Sequence, residues 1–430
     1  MLIALVISLF ILMIMSAPLA VAIGGSSVLA FLFDGSSSLF LVVQRMFTSL
    51  DSTVLLAIPL FIFAGKVMAN GGISKRIIGL SYEAVGFVPG SLSIVSIISC
   101  MFFAALSGSA PATVAAIGGI MIPTMIDDGY PAGFAAAVCA AGGVIGCIIP
   151  PSIPFVNFGL ITGTSVGDLF MAGVVPGILM GLSLCIVSIF YSIKFKWGRA
   201  TKKFDLKQFL VALKKSFLAL LMPLIILGGI YSGVFTPTEA AAVACVYGLF
   251  VSGVIYRDIK ISEIPQISFD SALTSCMILF IIATAGAFSW IITTEQVPAM
   301  LTAYVTAMTS SKVIVLLLIN VLLLINGCFM EETATTFIWT PILLPLVVAV
   351  GVNPIHFGVI MVMNMTMGLI TPPLGINLFV AQSMDKRVEF GATVKWIVPL
   401  FLAELVILLL VTYVPSISLG LGEWLSGFKG

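Results

Sequence analysis

"GCIIPPSIPFVNFG", from Gly146 to Gly159, places three prolines inside one of the most apolar parts of the chain. Proline removes a backbone donor and collides with the carbonyl four residues earlier, at a cost of about 3 kcal/mol in a helix interior. A bilayer has no water to satisfy the freed groups, so broken backbone is tolerated there only where protein or a polar cavity surrounds it. The stretch therefore predicts a membrane helix that breaks near Pro150 and Pro151 and lines a polar site.

The composition indicates which solvent surrounds this chain. Of 430 residues, 60% are hydrophobic and 9% are charged, whereas an ordinary soluble domain has roughly 25% charged residues. Successive apolar runs indicate a polytopic membrane protein, and the first run is interpreted as a membrane helix because it has neither a basic flank nor a small-residue cleavage site. A net charge of +1 gives no electrostatic basis for nucleic-acid binding. No G-x-x-x-x-G-K-[ST] phosphate loop occurs in the sequence, which excludes ATP hydrolysis by that route.

The segment around the prolines is duplicated. A shift of 222 residues, from Ala112 to Ala334, aligns forty positions without a gap, and nine of them are identical. The identical pairs are Ala112/Ala334, Thr113/Thr335, Ile120/Ile342, Pro123/Pro345, Gly129/Gly351, Gly146/Gly368, Ile148/Ile370, Pro150/Pro372 and Pro151/Pro373. Because the matched prolines and glycines fix backbone geometry, internal duplication explains the pattern better than chance does.

Basic residues predict how the two copies are oriented. The connector Lys194–Lys215 carries eight Lys or Arg and one acid, which marks the cytoplasmic side beside membrane spans. From that connector the second copy makes five crossings, so a first copy of the same design must be inverted. This topology leaves Arg45, Lys312 and Lys429 outside among the 19 Lys and Arg. It also predicts that both termini lie on the outer side of the membrane, in a multi-pass protein.

Each copy is expected to hold a re-entrant hairpin followed by a broken helix. The polar links Ser107–Thr113 and Met330–Thr335 join apolar arms of about ten to seventeen residues, mostly short of the ~20 needed to span a bilayer. We therefore predict an all-α polytopic fold of two inverted repeats, like that of elevator-type ion transporters. The predicted segments are a first repeat at 1–193 (hairpin 90–127, broken helix 131–167), a basic connector at 194–215, a second repeat at 216–416 (hairpin 312–350, broken helix 354–383) and a C-terminal tail at 417–430.

The hairpin tips and the breaks are expected to meet near the membrane midplane. Paired discontinuous helices in inverted halves point to the substrate and ion site of a secondary transporter, where free N–H groups at helix N-termini attract an anion. Glu331 and Glu332 are predicted to be functional because acids in apolar surroundings are rare, with an outer-vestibule position as the alternative for Glu332. Six oxygen-bearing side chains suit a hard cation such as Na⁺, although a hydroxyl bonded to its own helix carbonyl is an equal alternative at any one position. They are Ser109, Thr113, Asn157, Thr335, Thr371 and Asn377.

Five stretches combine glycine, proline and hydroxyl residues in apolar surroundings. They are "IPLFIFAGKVMANGGISKRI" (Ile58–Ile77), "LSGSAPATVAAIGGIMIP" (Leu106–Pro123), "IIPPSIPFVNFG" (Ile148–Gly159), "SGVFTPTEAAAVA" (Ser232–Ala244) and "GLITPPLGINLFV" (Gly368–Val380). In this order they resemble the large, DctM-like membrane subunit of TRAP transporters (tripartite ATP-independent periplasmic transporters). The resemblance covers essentially the whole chain.

The resemblance implies a transport function with two partners. A periplasmic binding protein delivers a small organic carboxylate, of the C4-dicarboxylate or sialic acid type, to the outer face. A small membrane subunit of about four helices braces a scaffold, and a Na⁺ gradient drives an elevator-like movement of the hairpin-bearing core. The family implies no enzymatic activity and no cofactor besides the coupling ion.

The resemblance also implies which residues form the substrate and Na⁺ sites. They are Ser107, Gly108, Ser109, Thr113, Pro150, Pro151, Ser152, Asn157, Glu331, Glu332, Thr333, Thr335, Thr371, Pro372, Pro373, Gly375 and Asn377. Many relatives have a single Asp at the position of Glu331, followed by an apolar residue. The Glu-Glu pair therefore departs from the family pattern, and a dicarboxylate site cannot be copied onto it residue by residue.

Three other classes of membrane protein are the alternatives. The first is a Na⁺- or H⁺-coupled carboxylate symporter that works without a binding protein. Measuring uptake in the absence of a soluble partner distinguishes it from a TRAP transporter. A channel does not need two occluding hairpins, and a membrane enzyme needs a nucleophile–base or metal constellation that the sequence does not provide. Arg45 is predicted to contact the binding protein, with interfacial anchoring of its helix as the equal alternative.

Overall fold

The computed structural model describes residues 1–35, 38–198, 203–309 and 311–426, and every regular element in these ranges is a helix. The helices of the first half are α1 (Leu2–Ile14), α2 (Leu19–Asp34), α3 (Phe40–Leu50), α4 (Ala57–Asn70), α5 (Ile73–Val85), α6 (Ser91–Ser107), α7 (Ala110–Thr113), α8 (Gly119–Asp127), α9 (Ala132–Val144), α10 (Ile153–Thr162) and α11 (Val166–Phe195). A π-helical turn, Val114–Gly118, joins α7 to α8, and short 3₁₀ turns lie at Thr53–Leu56 and Ile145–Cys147.

The second half follows the same order of elements. Its helices are α12 (Leu206–Tyr231), α13 (Pro237–Leu249), α14 (Ile264–Thr294), α15 (Val297–Met308), α16 (Lys312–Gly327), α17 (Glu332–Ala349), α18 (Pro354–Gly368), α19 (Ile376–Ser383), α20 (Phe390–Tyr413) and α21 (Ser416–Ser426). A π-helical turn (Phe250–Ile255) extends α13, and a 3₁₀ turn (Ile261–Glu263) precedes α14.

Eight helices in the described ranges are long and apolar enough to cross a membrane. They are Thr53–Asn70, Ala110–Asp127, Val166–Phe195, Leu206–Tyr231, Pro237–Ile255, Ile261–Thr294, Glu332–Ala349 and Phe390–Tyr413. Local sequence fixes where several of them begin. Thr236 and Glu239, for example, form a capping box in which each side chain accepts a backbone N–H of the other residue at α13.

The helix bounds reproduce the duplication seen in the sequence. Under the shift of 222 residues, Ala110–Asp127 falls on Glu332–Ala349, and the first residue of α9, Ala132, falls on Pro354 of α18. Both matched proline pairs also have a cis peptide bond. The predicted fold class is confirmed, with a hairpin (α6 to α8, and α16 to α17) and a broken helix (α9 to α10, and α18 to α19) in each half.

The second arm of each hairpin is longer than the sequence predicted. Helix α6 has 17 residues, α16 has 16, and both second arms have 18, which at 1.5 Å per residue is roughly 24–27 Å. The prediction was too short because residues assigned to the polar links are helical. Pro111 lies in the first turn of α7, where its missing N–H costs nothing. The hairpin tips therefore contract to Gly108–Ser109 and Cys328–Glu331.

The two halves interlock at their broken helices. The half-helix α10 of the first copy packs against α17, and α19 of the second copy packs against α9. Residues 133–144 of α9 and 355–368 of α18 are all buried, which places the two broken helices at the centre of the molecule. On the outside, α4 packs on α13 and α5 on α12. We call the hairpins, the broken helices, α11, α20 and α21 the core, and α4, α5 and α12–α14 the outer bundle.

Candidate functional site

The tip of the first hairpin lies directly on the first break. The Gly108 carbonyl accepts a hydrogen bond from the Ile153 amide at 3.3 Å, and the Ala110 amide donates to Cys147 Sγ at 3.1 Å. Gly108 has a φ of +61°, a left-handed conformation that favours glycine and lets the chain reverse between the arms. The tip and the break are therefore joined by backbone groups of both segments.

The hydroxyl groups of this tip bond to one another and to its backbone. Ser107 Oγ lies 2.9 Å from Thr113 Oγ1, and Thr113 Oγ1 donates to the Ser109 carbonyl at 2.9 Å. Ser152 donates to the Cys147 carbonyl at 2.5 Å and accepts from the Phe155 amide at 3.3 Å, which caps α10. The structure thus brings together the predicted residues of the first tip and the first break. Pro150 and Pro151 are buried beside them.

The second tip uses Glu331 differently from the prediction of a ligand-binding acid. Its carboxylate accepts hydrogen bonds from the Thr333 amide and hydroxyl, both at 2.9 Å, and from the Ala334 amide at 3.2 Å. Glu331 is thus the N-cap of α17, where a negative charge also faces the positive end of the helix dipole. The side chains of Glu331 and Thr333 therefore form hydrogen bonds at the N-terminal cap of α17.

Glu332 connects the two halves of the protein. Its carboxylate oxygens lie 3.3 and 3.6 Å from the Sγ of Cys147, in the first break. The same sulfur accepts the Ala110 amide from the first hairpin, and Ala110, Cys147 and Leu369 form a buried apolar cluster. Since Leu369 precedes the second break, both tips and both breaks converge on Cys147.

Thr335 lies one helical turn into α17 and is buried. Its hydroxyl accepts the Asn326 side-chain amide at 2.8 Å, and Asn326 in turn accepts the Trp339 indole N–H at 3.0 Å. This chain of bonds ties the two arms of the second hairpin together. Neither Asn326 nor Trp339 was predicted to belong to the site. An amide side chain inside the leucine-rich α16 is a sequence signal that could have identified Asn326.

The second break is more open than the first. Pro372 and Pro373 are exposed, in contrast to the buried Pro150 and Pro151. The Thr371 hydroxyl donates to the Met367 carbonyl of its own helix at 2.8 Å, as the alternative for a membrane hydroxyl predicted. Gly375 has a φ of +46° and begins α19.

The expectation that half-helix N-termini offer free N–H groups to an anion was wrong for several amides. At α10 the Ile153 amide bonds to Gly108 and the Phe155 amide to Ser152. At α19 the Asn377 amide bonds to the Leu369 carbonyl at 3.0 Å. At α17 Glu331 takes the two amides described above. Neighbouring segments and caps supply the acceptors because these amides are buried, and an unsatisfied buried N–H is costly.

Both asparagines predicted as cation ligands retain unused polar atoms, as does Asn364 on α18. Asn157 is fully buried, and neither its amide oxygen nor its amide nitrogen has a hydrogen-bond partner in the described structure. Asn377 is also fully buried; its Nδ2 donates to the Ala140 carbonyl at 3.2 Å, while its Oδ1 has no partner. Buried polar atoms of native proteins are nearly always bonded, so each unpaired one calls for a ligand or a water.

The six proposed cation ligands fall into more than one group. A β-carbon placed on Gly143 would stand 3.2 Å from the Ala110 carbonyl and 3.4 Å from Asn377 Nδ2, so Asn377 lies beside the first tip with Ser109 and Thr113. Asn157 lies on α10, which packs against the α17 helix of Thr335. In both groups, the half-helix that carries the asparagine belongs to one copy, and the hairpin against which it packs belongs to the other copy.

Comparison with known proteins decides the family. A family model described as "Tripartite ATP-independent periplasmic transporter, DctM component" matches residues 6–417. This chain belongs to the DctM family. It is 44% identical over 404 residues to the C4-dicarboxylate TRAP transporter large permease protein DctM of Pseudomonas aeruginosa, covering 94% of each chain. The family and the apolar helices make it a multi-pass inner-membrane protein.

A second relative of this DctM-family chain is longer than the chain itself. It is the isethionate TRAP transporter permease protein DctMQ of Oleidesulfovibrio alaskensis, 44% identical over 407 residues, which are 95% of this chain and 64% of that protein. Among solved structures, the Alcanivorax borkumensis YdaH transporter superposes with a TM-score of 0.61 at 16% identity, over 90% of this chain and 87% of that one. At that identity the likeness concerns the fold alone.

Two cavities approach the core of this DctM-family chain from different sides. One of about 650 Å³ lies between the outer bundle and the first hairpin, with Lys75 and Lys215 on one wall and Ala116 and Ile120 on the other. Another, of about 580 Å³, is lined by the turn after α10, by Asp168 and by Tyr231. On the predicted topology the first opens to the cytoplasm and the second to the periplasm.

Arg45 lies on α3 at the surface. Its guanidinium carbon is 5.2 Å from the centre of the Trp290 ring, within the range of a cation–π contact. This contact is compatible with anchoring of the helix and also leaves the side chain exposed. Contact with a binding protein stays a prediction.

An ion-pair cluster outside the membrane segments joins the two copies. Arg387, in the loop after α19, bonds to Asp127 at the end of the first hairpin at 2.7 Å and to Asp385 at 2.6 Å. The hydrogen bonds from Arg387 lower the pKa of Asp385 to about 2 and raise the pKa of the guanidinium. The Asp385–Arg387 pair therefore persists at every pH above about 4.

Proposed function

We propose that this chain is the translocating subunit of a Na⁺-coupled transporter that takes up a small organic carboxylate, of the C4-dicarboxylate or sialic acid type. One observation carries the proposal most strongly. Both hairpin tips and both broken helices converge at Cys147, and buried side-chain oxygens without a partner lie on the half-helices beside them. That is where a secondary transporter with inverted repeats holds its substrate and ions.

The coupling ion is proposed to bind at the two asparagines. Amide, carbonyl and hydroxyl oxygens are the ligands that hard cations prefer. Asn377 beside the first tip, with Ser109 and Thr113, offers one group of such oxygens. Asn157, on the half-helix α10 that packs against the helix of Thr335, offers another. The Asn157 and Asn377 oxygens can accept a cation without breaking an existing bond, because neither has a partner.

The substrate is proposed to arrive with a periplasmic binding protein and to leave through the cavity lined by Lys75 and Lys215. The lining carries three basic side chains (Lys75, Arg76 and Lys215) and two acidic ones (Glu83 and Asp258), so its excess of positive charge favours an anion. The relatives named above transport a C4-dicarboxylate and isethionate, and both are small organic anions. A small membrane subunit of about four helices is proposed to pack on the outer bundle.

Alternating access is proposed to follow from movement of the core against the outer bundle, with both termini on the periplasmic side. The interlocked packing of α10 on α17 and of α19 on α9 supports a core that moves as one body. The Arg387–Asp127 pair adds a further link between the copies.

The test is uptake into proteoliposomes with an imposed Na⁺ gradient and the cognate binding protein. We expect Asn157→Leu and Asn377→Leu to lower the apparent affinity for Na⁺ by about tenfold or more, as loss of a metal-site contact does. Gln266→Leu, which removes an exposed amide in the first turn of α14, is the control and should behave as the wild type. Unchanged Na⁺ dependence in both core variants would remove the amides from the coupling sites. Uptake without the binding protein would favour the alternative function, a Na⁺- or H⁺-coupled carboxylate symporter that works without one.

A further inference from the structure

A carboxylic acid side chain is buried in the core, away from the hairpin tips. Glu404 lies on α20 and is 0% exposed, and neither of its carboxylate oxygens has a hydrogen-bond partner in the described structure. It belongs to the buried stripe of α20 that also includes Leu400 and Leu408. The proposed transport site does not use this residue.

Glu404 lies near the middle of the membrane. It is 14 residues from Phe390 and 9 from Tyr413, the two ends of α20, which corresponds to roughly 21 and 14 Å along the helix. The hydrocarbon layer is about 30 Å thick. The first turns of α9 and α20 lie together, since a β-carbon on Gly133 would stand 2.7 Å from the Ala392 carbonyl carbon. Neither end of the helix brings the carboxyl group close to bulk water.

No cation neutralises this acid in the described structure. The helices packed against α20 are α9, α11, α18 and α19, and α19 carries no titratable side chain. Helix α16 also bonds to the C-terminal end of α20, through Asn320 to Thr412 and through the Val313 carbonyl to Tyr413; its titratable side chain is Lys312, at its first residue. The titratable side chains on the other three packed helices and on α20 itself are Cys139 on α9, Asp168, Cys185, Tyr191 and Lys194 on α11, His356 on α18, and Lys395 and Tyr413 on α20. Of these, Lys194 and Lys395 lie near helix ends, and His356 bonds to Ser418 and Thr412.

Burial of a lone charge decides the protonation state. Transferring an ionised carboxylate into an apolar interior costs many kcal/mol unless donors or a counter-ion replace the lost water, and Glu404 has neither. Addition of one proton from water to a carboxylate oxygen gives a neutral carboxylic acid and removes that cost. We propose that Glu404 is a proton-binding site of the core, occupied by a proton in the conformation described here.

The proposal has a consequence for movement of the core. A neutral Glu404 adds no charge to the part of the protein that moves through the membrane field, whereas an ionised one adds a full negative charge. Transport should therefore require the proton to stay bound. Because an acid binds its proton below its own titration range, uptake is lost as the pH is raised through that range.

Infrared spectroscopy of the purified full chain tests occupancy directly. A protonated carboxylic acid has a carbonyl stretch well separated from the carboxylate bands. We expect the difference spectrum between wild type and Glu404→Gln to show the loss of one such band. Glu389→Gln, an exposed acid one residue before α20, should show no such loss. If Glu404→Gln is not recovered folded, Glu404→Met serves as the neutral variant. If the protonated-acid band is unchanged in whichever Glu404 variant is measured, the proposal is wrong.

Uptake as a function of pH then tests whether the proton matters for movement. We expect wild-type uptake to fall as the pH is raised and Glu404→Gln uptake to remain flat over the same range. Identical pH profiles for the two proteins contradict a functional role for the bound proton. The infrared result does not depend on transport, so it stands or falls separately from the function proposed above.

Discussion

At the scale of single residues, one glycine in each copy allows the break to touch the hairpin tip. A β-carbon on Gly146 would stand 2.6 Å from Thr113 Oγ1 and 2.8 Å from the Ser109 carbonyl oxygen. On its partner Gly368, a β-carbon would stand 2.6 Å from the carbonyl oxygen of Gly327. The sequence repeat contains this pair because the same close approach occurs twice.

We expect Gly146→Ala and Gly368→Ala each to push a tip away from its break. Overpacking of a fitted contact costs about 1–3 kcal/mol, so both variants should show a lower thermal unfolding temperature and weaker Na⁺-driven uptake. Gly228→Ala is the control, because a β-carbon there meets nothing within 4 Å. If Gly146→Ala and Gly368→Ala match this control in both measurements, the close approach has no importance for the site.

The sequence predicted the segments of the site better than it predicted the chemistry of its side chains. Paired prolines and glycines constrain the backbone locally, so the breaks and the tips could be placed from their spacing. The roles of Cys147 and Glu332 could not, because they depend on a contact between residues 185 positions apart. Glu331 was predicted to be functional because an acid in apolar surroundings is rare, and the sequence alone does not show that its carboxylate caps α17.

At the scale of elements, the start of α17 depends on Glu331. An N-cap side chain satisfies amides that the first helical turn leaves unpaired. The 18 residues that follow form the second arm of the hairpin and include Pro341 and Pro345. Each proline removes an internal hydrogen bond. Loss of the N-cap should therefore destabilise this helix more than it would destabilise a helix without internal prolines.

We expect Glu331→Ala to destabilise the protein by about 1 kcal/mol, the usual loss for removal of an N-cap. Glu331→Asp should restore most of it, because Asp is a preferred N-cap residue. Thermal unfolding in detergent measures both, and Glu389→Ala is the control, because Glu389 is an exposed acid at the N-cap of α20 whose side chain makes no cap hydrogen bond. A Glu331→Ala protein of wild-type stability that no longer responds to Na⁺ would assign this acid to the ion site instead.

At the scale of the whole molecule, the predicted inversion of the two copies concerns which side each hairpin tip faces. On that prediction, the first tip is reached from the cytoplasm and the second from the periplasm. Ser109 is partly exposed at the first tip, and Phe329, 53% exposed, lies at the second.

We expect cysteines introduced at Ser109 and at Phe329 to react with membrane-impermeant reagents from opposite sides. The background lacks the seven native cysteines, with serine at position 147. Na⁺ plus substrate should protect both positions, because an occluded site hides both tips. A cysteine at Lys203, in the basic connector, marks the cytoplasmic side. Labelling of both tips from one side contradicts the inverted topology.

The exchange of half-helices between the copies also has a consequence for biosynthesis. Helix α10 ends at Thr162, and its partner α17 begins at Glu332, 170 residues later. At about 5–20 residues per second a ribosome needs roughly 10 to 30 s to cover that distance. During this interval the inserted first half has no second hairpin to cover α10. A nascent chain of this design must remain in the bilayer with an incomplete centre until α17, which ends at residue 349 of the 430, has been made.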